Sequence, residues 1–147
     1  MDKIDRKILH ELESNARISN TGLAEAVGLS ASACLRRVQA LEQNGVILGY
    51  RAVLNRSAIG GGFTVLVGVG LARHLKTDQE AFEAVMCSAD EVRECHNIAG
   101  SIEYLLRVEV PDLESYKRFH TEVLGTVKEV SSIVSNIVMA SPKDMRS

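Results

Sequence analysis

Ser19-Asn20-Thr21-Gly22-Leu23-Ala24-Glu25-Ala26-Val27-Gly28-Leu29-Ser30-Ala31-Ser32-Ala33-Cys34-Leu35-Arg36-Arg37-Val38 decides how the N-terminal third of the chain folds. Ser19 is placed to cap a short helix whose inward residues are Leu23, Ala24 and Val27, since a serine oxygen accepts from the free N–H groups of a first helical turn. Gly28 suits the left-handed conformation that ends such a helix. Ser30 then caps a longer helix with Cys34, Val38 and Leu41 inward and Asn44-Gly45 as its stop. Two helices joined by so short a glycine turn form a helix-turn-helix. Working back, Asp2 caps a preceding helix with Ile4, Ile8, Leu9 and Leu12 on one face.

Working forward, Val46 to Asn55 is β-prone and predicts a short strand leading into a linker, with Gly60-Gly61-Gly62 as the boundary. From Phe63 the period changes. Phe63, Val65, Val67, Val69 and Leu71 alternate with Thr64, Leu66, Gly68 and Gly70, a strand with one apolar face. Gly68 and Gly70 weaken that strand unless something approaches closely; a partner subunit and packing within the chain both satisfy this. Thr77-Asp78-Gln79-Glu80 reads as a capping box opening a helix with Phe82, Val85 and Met86 inward. Strands follow at Val92–Ile98 and Ile102–Val110, joined through Ala99-Gly100-Ser101. Pro111-Asp112 opens a helix bearing Leu113, Tyr116, His120, Val123 and Leu124, and Val130–Met139 is the last strand.

The fold class expected is therefore α+β: an N-terminal helix-turn-helix domain (1–48), a strand and hinge linker (49–62), a C-terminal ferredoxin-like βαββαβ sandwich (63–140) and a loose tail (141–147).

Composition narrows the function. The chain has 147 residues, 46% apolar and 24% charged, with three cysteines and no Trp, within the range of ordinary globular proteins. No apolar run approaches the roughly 18 residues of a membrane span, and the charged start lacks the apolar core of a signal peptide, so a cytoplasmic protein is expected. Net charge is −2. Residues 1–56 hold eight Lys/Arg against six acids, and the remainder nine against thirteen. The excess of positive charge thus sits in the N-terminal part, residues 1–56. Cys87, Cys95 and His96 lack metal-ligand spacing, no Walker A, GxSxG or HExxH motif occurs, and no catalytic group, metal or cofactor is expected.

On a helical wheel that puts Cys34, Val38 and Leu41 inward, Ser32 and Arg36 point directly away, Gln39 lies beside them and Leu35 on a shoulder. A helix fits the DNA major groove, where Arg36 can fork to a guanine, Gln39 can meet adenine or phosphate, and Leu35 a thymine methyl. Ser19, Asn20 and Thr21 stand where free N–H groups suit a phosphate. For Arg37, nearer the core edge, a structural ion pair and a phosphate contact are both open. The bland alternative is a three-helix interaction module.

Ile4-Asp5-Arg6-Lys7-Ile8-Leu9, Ala16-Arg17-Ile18-Ser19, Val27-Gly28-Leu29-Ser30 and Leu41-Glu42-Gln43-Asn44-Gly45-Val46-Ile47 resemble the helix-turn-helix of the Lrp/AsnC regulators, and Glu94-Cys95-His96, Gly100, Tyr104-Leu105-Leu106 and Val110-Pro111-Asp112 resemble their C-terminal domain. The resemblance implies a transcription regulator of double-stranded DNA that self-associates as dimers, often octamers, and takes amino acids as effectors. It also implies an effector site at Ile98, Gly100, Ser101, Ile102, Glu103 and Tyr104, with Ser135 on the last strand. Where many relatives have Gly-Asp-x-Asp-Tyr, this chain has Gly100-Ser101-Ile102-Glu103-Tyr104, which leaves the effector's identity open. Two other functions compete: a sirohaem-decarboxylase-like enzyme, for which His96 and Arg107 are the local candidates, and an amino-acid-binding module without DNA binding.

Overall fold

A computed structural model describes residues 1–60 and 62–144, with Ser57 in its backbone only. The chain divides into two units, Met1–Val53 and Leu54–Ser147.

The first unit holds α1 (Lys3–Ser14), α2 (Asn20–Val27) and α3 (Ala31–Gln43). Each begins at the expected cap. Asp2 accepts from the N–H groups of Ile4 and Asp5, and Asp5 returns a bond to the Asp2 amide; Ser19 accepts from Gly22 and Ser30 from Ala33. Gly28 adopts the left-handed conformation at φ 75°, and Leu29 N–H donates back to the Ala24 carbonyl. Gly45 at φ 67° closes α3 in the same way, with Val46 and Ile47 both donating to Leu41. Ile8, Leu23, Ala24, Val27, Cys34 and Leu41 are buried together, and each fully buried aliphatic chain contributes about 1.5–3 kcal/mol.

The strand expected over Val46–Asn55 does not form. Its first two amides are consumed in closing α3, and the segment from Leu48 to Asn55 is irregular and exposed, followed by one 3-10 turn at Arg56–Ile59.

The second unit holds β1 (Phe63–Leu71), α4 (Lys76–Ser88), β2 (Val92–Asn97), β3 (Tyr104–Val110), α5 (Leu113–Arg118) and β4 (Val130–Ile137). The strands form one antiparallel sheet in the order β2-β3-β1-β4, the arrangement of a ferredoxin-like sandwich. Val65, Val67, Val69, Leu106 and Val108 pack against Phe82, Met86, Tyr116, Phe119 and Leu124 of the helical layer. β2 and β3 are shorter than expected, so Ile98 and Ile102 belong to the turn between them, and β4 stops at Ile137.

Two further expectations, the Thr77 capping box and the loose tail, are corrected. Thr77 caps nothing: Leu75 is the N-cap of α4 without a side-chain bond, and Asp78 is instead gripped by Arg73 through Nε at 2.8 Å and a terminal nitrogen at 2.9 Å. Leu113 faces solvent, and the helix after Arg118 widens into a π turn over Phe119–Val123. The tail is not loose throughout, because the Asp144 side chain is 8% exposed and accepts from Arg107 at 2.8 Å. Gly68 and Gly70 are each closely approached by side chains of this chain. A Cβ at Gly68 would stand 2.7 Å from Ile102 Cδ1, and one at Gly70 would stand 2.4 Å from Ser132 Oγ.

Candidate functional site

Ser32, Leu35, Arg36 and Gln39 of α3 are all exposed, on the side opposite Cys34 and Leu41. Leu35 is 46% exposed although apolar. Arg37 leaves this group. Its guanidinium holds Asp2 and Asp5 at 2.7 Å each, so it braces α3 against the first turn of α1. The Asp5 and Asp2 bonds hold the arginine above its ordinary range, and Asp2 lies below the usual carboxylate range, first because it accepts from the Asp5 amide and then because of Arg37.

Ser19, Asn20 and Thr21 stand at the start of α2. Only Thr21 has no hydrogen bond to another side chain or turn among the described residues. Ser19 is occupied by the Gly22 amide, and Asn20 Nδ2 donates to the Ala31 carbonyl at 2.8 Å, tying α2 to the first turn of α3. The Ser32 hydroxyl lies 3.3 Å from that of Ser30.

The turn after β2 places Gly100 and Ser101 at the surface and Ile98, Ile102 and Glu103 half-buried. A Cβ at Gly100 would meet nothing. The Ile102 side chain crosses the open face of the sheet and fills the place that Gly68 leaves empty. Glu103 is already partnered on both oxygens: Oε2 accepts from the Leu71 amide at 2.9 Å and Oε1 lies 3.0 Å from His74 Nδ1.

The remaining two expected effector residues point elsewhere. Tyr104 is fully buried against the helical layer, its ring tilted on that of Phe82 with centroids 4.6 Å apart, and donates to Glu83 at 2.6 Å. Burial, and then the Glu83 carboxylate, push its phenol up to about 12. Ser135 pairs opposite Val67, on the face away from Glu103, and shares a 2.5 Å bond with Tyr116. Within one chain, Glu103 and Ser135 therefore do not converge.

An ionic cluster escaped the sequence reading. Arg56, Arg93 and Arg107 surround Glu109, with Asp144 beyond Arg107. Arg107 and Glu109 share one strand face at i, i+2, a visible sign, but the two other arginines come from distant segments.

Residues 1–42 match the AsnC-type helix-turn-helix domain, and residues 64–147 match the Lrp/AsnC ligand binding domain. The chain belongs to the Lrp/AsnC family. It is 38% identical over 143 residues to the leucine-responsive regulatory proteins of Salmonella typhimurium and Escherichia coli, spanning 97% of this chain and 87% of each relative. Among solved structures, a transcriptional regulator from Neisseria meningitidis in complex with L-Met superposes with a TM-score of 0.94 at 33% identity, over 98% of this chain and 93% of that one. An AsnC family regulator from Agrobacterium tumefaciens gives 0.93 at 34% identity, over 98% and 94%. This Lrp/AsnC chain is thus a transcription regulator that joins a DNA-binding helix-turn-helix to a ligand-binding domain. Among its described residues no helix is long and apolar enough to cross a membrane.

Proposed function

We propose that residues 1–48 read duplex DNA with Ser32, Leu35, Arg36 and Gln39, while residues 63–140 bind an amino-acid effector near the Gly100–Glu103 turn and join copies of the chain in the cytoplasm. The observation that carries the reading is the exposed α3 face with Arg37 withdrawn from it. One helix start and one arginine make few contacts, so dimers, assembled further into octamers, would supply affinity by engaging half-sites about 10 base pairs apart. The L-Met complex of the Neisseria relative supports an amino acid as ligand. Here the glycine turn would take the carboxylate on backbone N–H groups, and the ammonium would have to compete with His74 for Glu103.

The test is a mobility shift at fixed salt on duplexes selected from a random pool by the parent protein. Arg36→Ala weakens specific binding by about 1–3 kcal/mol, roughly 5- to 150-fold, and leaves oligomer size unchanged. Arg37→Ala chiefly lowers the thermal stability of the helical unit, and at low temperature it retains base preference. Equal affinity of Arg36→Ala and parent rejects the recognition surface. For the effector, thermal stabilisation by each common amino acid is compared between parent and Gly100→Val, a variant with room for its side chain. Undiminished stabilisation in the variant rejects the turn.

A further inference from the structure

Cys87 and Cys95 serve neither the DNA-reading face nor the effector turn, and the fold brings them together. Cys95 lies on β2, the edge strand of the sheet, opposite Leu106 of β3. Leu106 faces the helical layer, so Cys95 does too, and it packs half-buried against that core. Cys87 stands in the last turn of α4, exposed to solvent, four residues after Glu83 and on the same stripe of the helix.

Glu83 fixes the register between helix and strand. It accepts from the Tyr104 phenol at 2.6 Å, and Tyr104 pairs with Asn97 of β2. α4 ends at Ser88 and β2 begins at Val92, so the strand runs back against the helix. From Glu83 to Cys87 the helix advances about 6 Å, and from Asn97 back to Cys95 the strand covers about 6.6 Å. Both steps lead towards the short connection between α4 and β2. They match, so Cys87 comes level with Cys95. The electrostatics agree: burial first, then the charge of Cys87 and that of Glu83, push the Cys95 thiol up to about 11.

We propose that Cys87 and Cys95 form a modification site, a thiol pair that hydrogen peroxide converts to a reversible disulfide within one chain, pinning edge strand β2 to the end of α4. The exposed Cys87 thiolate attacks one peroxide oxygen. The O–O bond breaks, the other oxygen takes a proton and leaves as water, and Cys87 becomes a sulfenic acid. The Cys95 sulfur then attacks the Cys87 sulfur, and its proton leaves with the hydroxyl as a second water. Two thiols lose two electrons, and one peroxide is reduced to two waters. The order follows from placement: Cys95 keeps its proton near neutral pH under the helix, while Cys87 meets the oxidant. In a reducing compartment the pair rests as thiols and closes only on exposure to oxidant. Cys34, fully buried within the helical unit, serves as the internal reference.

The test treats the reduced full chain with hydrogen peroxide, blocks the remaining thiols with N-ethylmaleimide in denaturant, and digests with trypsin without reduction. Cleavage after Lys76, Arg93 and Arg107 puts Cys87 on peptide 77–93 and Cys95 on peptide 94–107. Loss of two of the three thiols is expected, with these two peptides linked, lighter than their sum by two hydrogens, and with Cys34 still blocked by maleimide. Dithiothreitol should restore both thiols. In Cys95→Ser, Cys87 should instead accumulate as the sulfenic acid, which dimedone captures. In Cys87→Ser, Cys95 should remain a thiol at the same peroxide dose. Mixing chains grown in light and heavy nitrogen tells a bond within one chain from a bond between copies, and the latter overturns the proposal. Sulfinic acid at Cys87 of the parent beside an unreacted Cys95 also overturns it. So does Cys95 oxidised as fast in Cys87→Ser as in the parent, or a parent chain that keeps all its thiols.

Discussion

Replacing Tyr104 by phenylalanine separates a structural tyrosine from a ligand-binding one. The phenol is fully buried, packs on Phe82 and donates to Glu83, and its folded-state pKa is raised to about 12 from an ordinary 10.0, chiefly by burial. A raised pKa means that the folded state holds the proton more tightly than the unfolded chain. The corresponding stability is fully present below pH about 10 and is lost as pH rises through about 12. Two pKa units at 1.36 kcal/mol each give a ceiling of about 2–3 kcal/mol. Urea unfolding followed by circular dichroism, at intervals from pH 8 to 12, measures this directly. The parent should lose about 2–3 kcal/mol more than Tyr104→Phe across that interval. At pH 8 the variant should be weaker by about 1 kcal/mol for the lost hydrogen bond, since Glu83 is half-buried and can take up water. Its response to effector should be retained. Parallel loss of stability in parent and variant would refute the buried, Glu83-bonded phenol. Loss of effector response alone would return Tyr104 to the ligand site.

Two substitutions of glycine test the close contacts. Gly68→Ala displaces the end of Ile102 rather than backbone, so it should cost no more than about 1–3 kcal/mol while altering the ligand-induced change in melting temperature; an unaltered ligand response with a normal melting curve would show that Ile102 is not held there. Gly28→Ala has space for its methyl group but a φ of 75°, and should destabilise the helical unit by about 1–2 kcal/mol, seen as an earlier unfolding step of residues 1–53 by hydrogen exchange with the sheet unaffected.

The three helices were legible because their ends are written locally. Asp2, Ser19 and Ser30 satisfy free amides, and Gly28 and Gly45 take a backbone conformation that other residues resist. The sheet was legible from its alternating valines. What failed depended on partners distant in sequence. Val46 to Asn55 has strand composition, but a strand needs a neighbour and its leading amides were already spent on α3. Thr77-Asp78-Gln79-Glu80 has capping spacing, but Arg73 takes Asp78. The effector turn could be placed, yet nothing in Tyr104 or Ser135 shows which face of the sheet each will occupy, and nothing in Glu103 announces His74. The recognition face was readable because a helical wheel needs only the position of its core, whereas the fate of Arg37 depended on a carboxylate pair 32 and 35 residues away.

The closure of α3 through Val46 and Ile47 also has a practical meaning. Those two amides finish the helix, and Leu48 beyond them is almost wholly solvated. The helical unit nevertheless runs on to Val53, and Tyr50 donates back to Glu42 of α3 at 2.8 Å. A splice made after Val53 should carry that module intact onto a foreign sensor, and spacers of graded length inserted there would act as a molecular ruler for how far apart paired readers can stand.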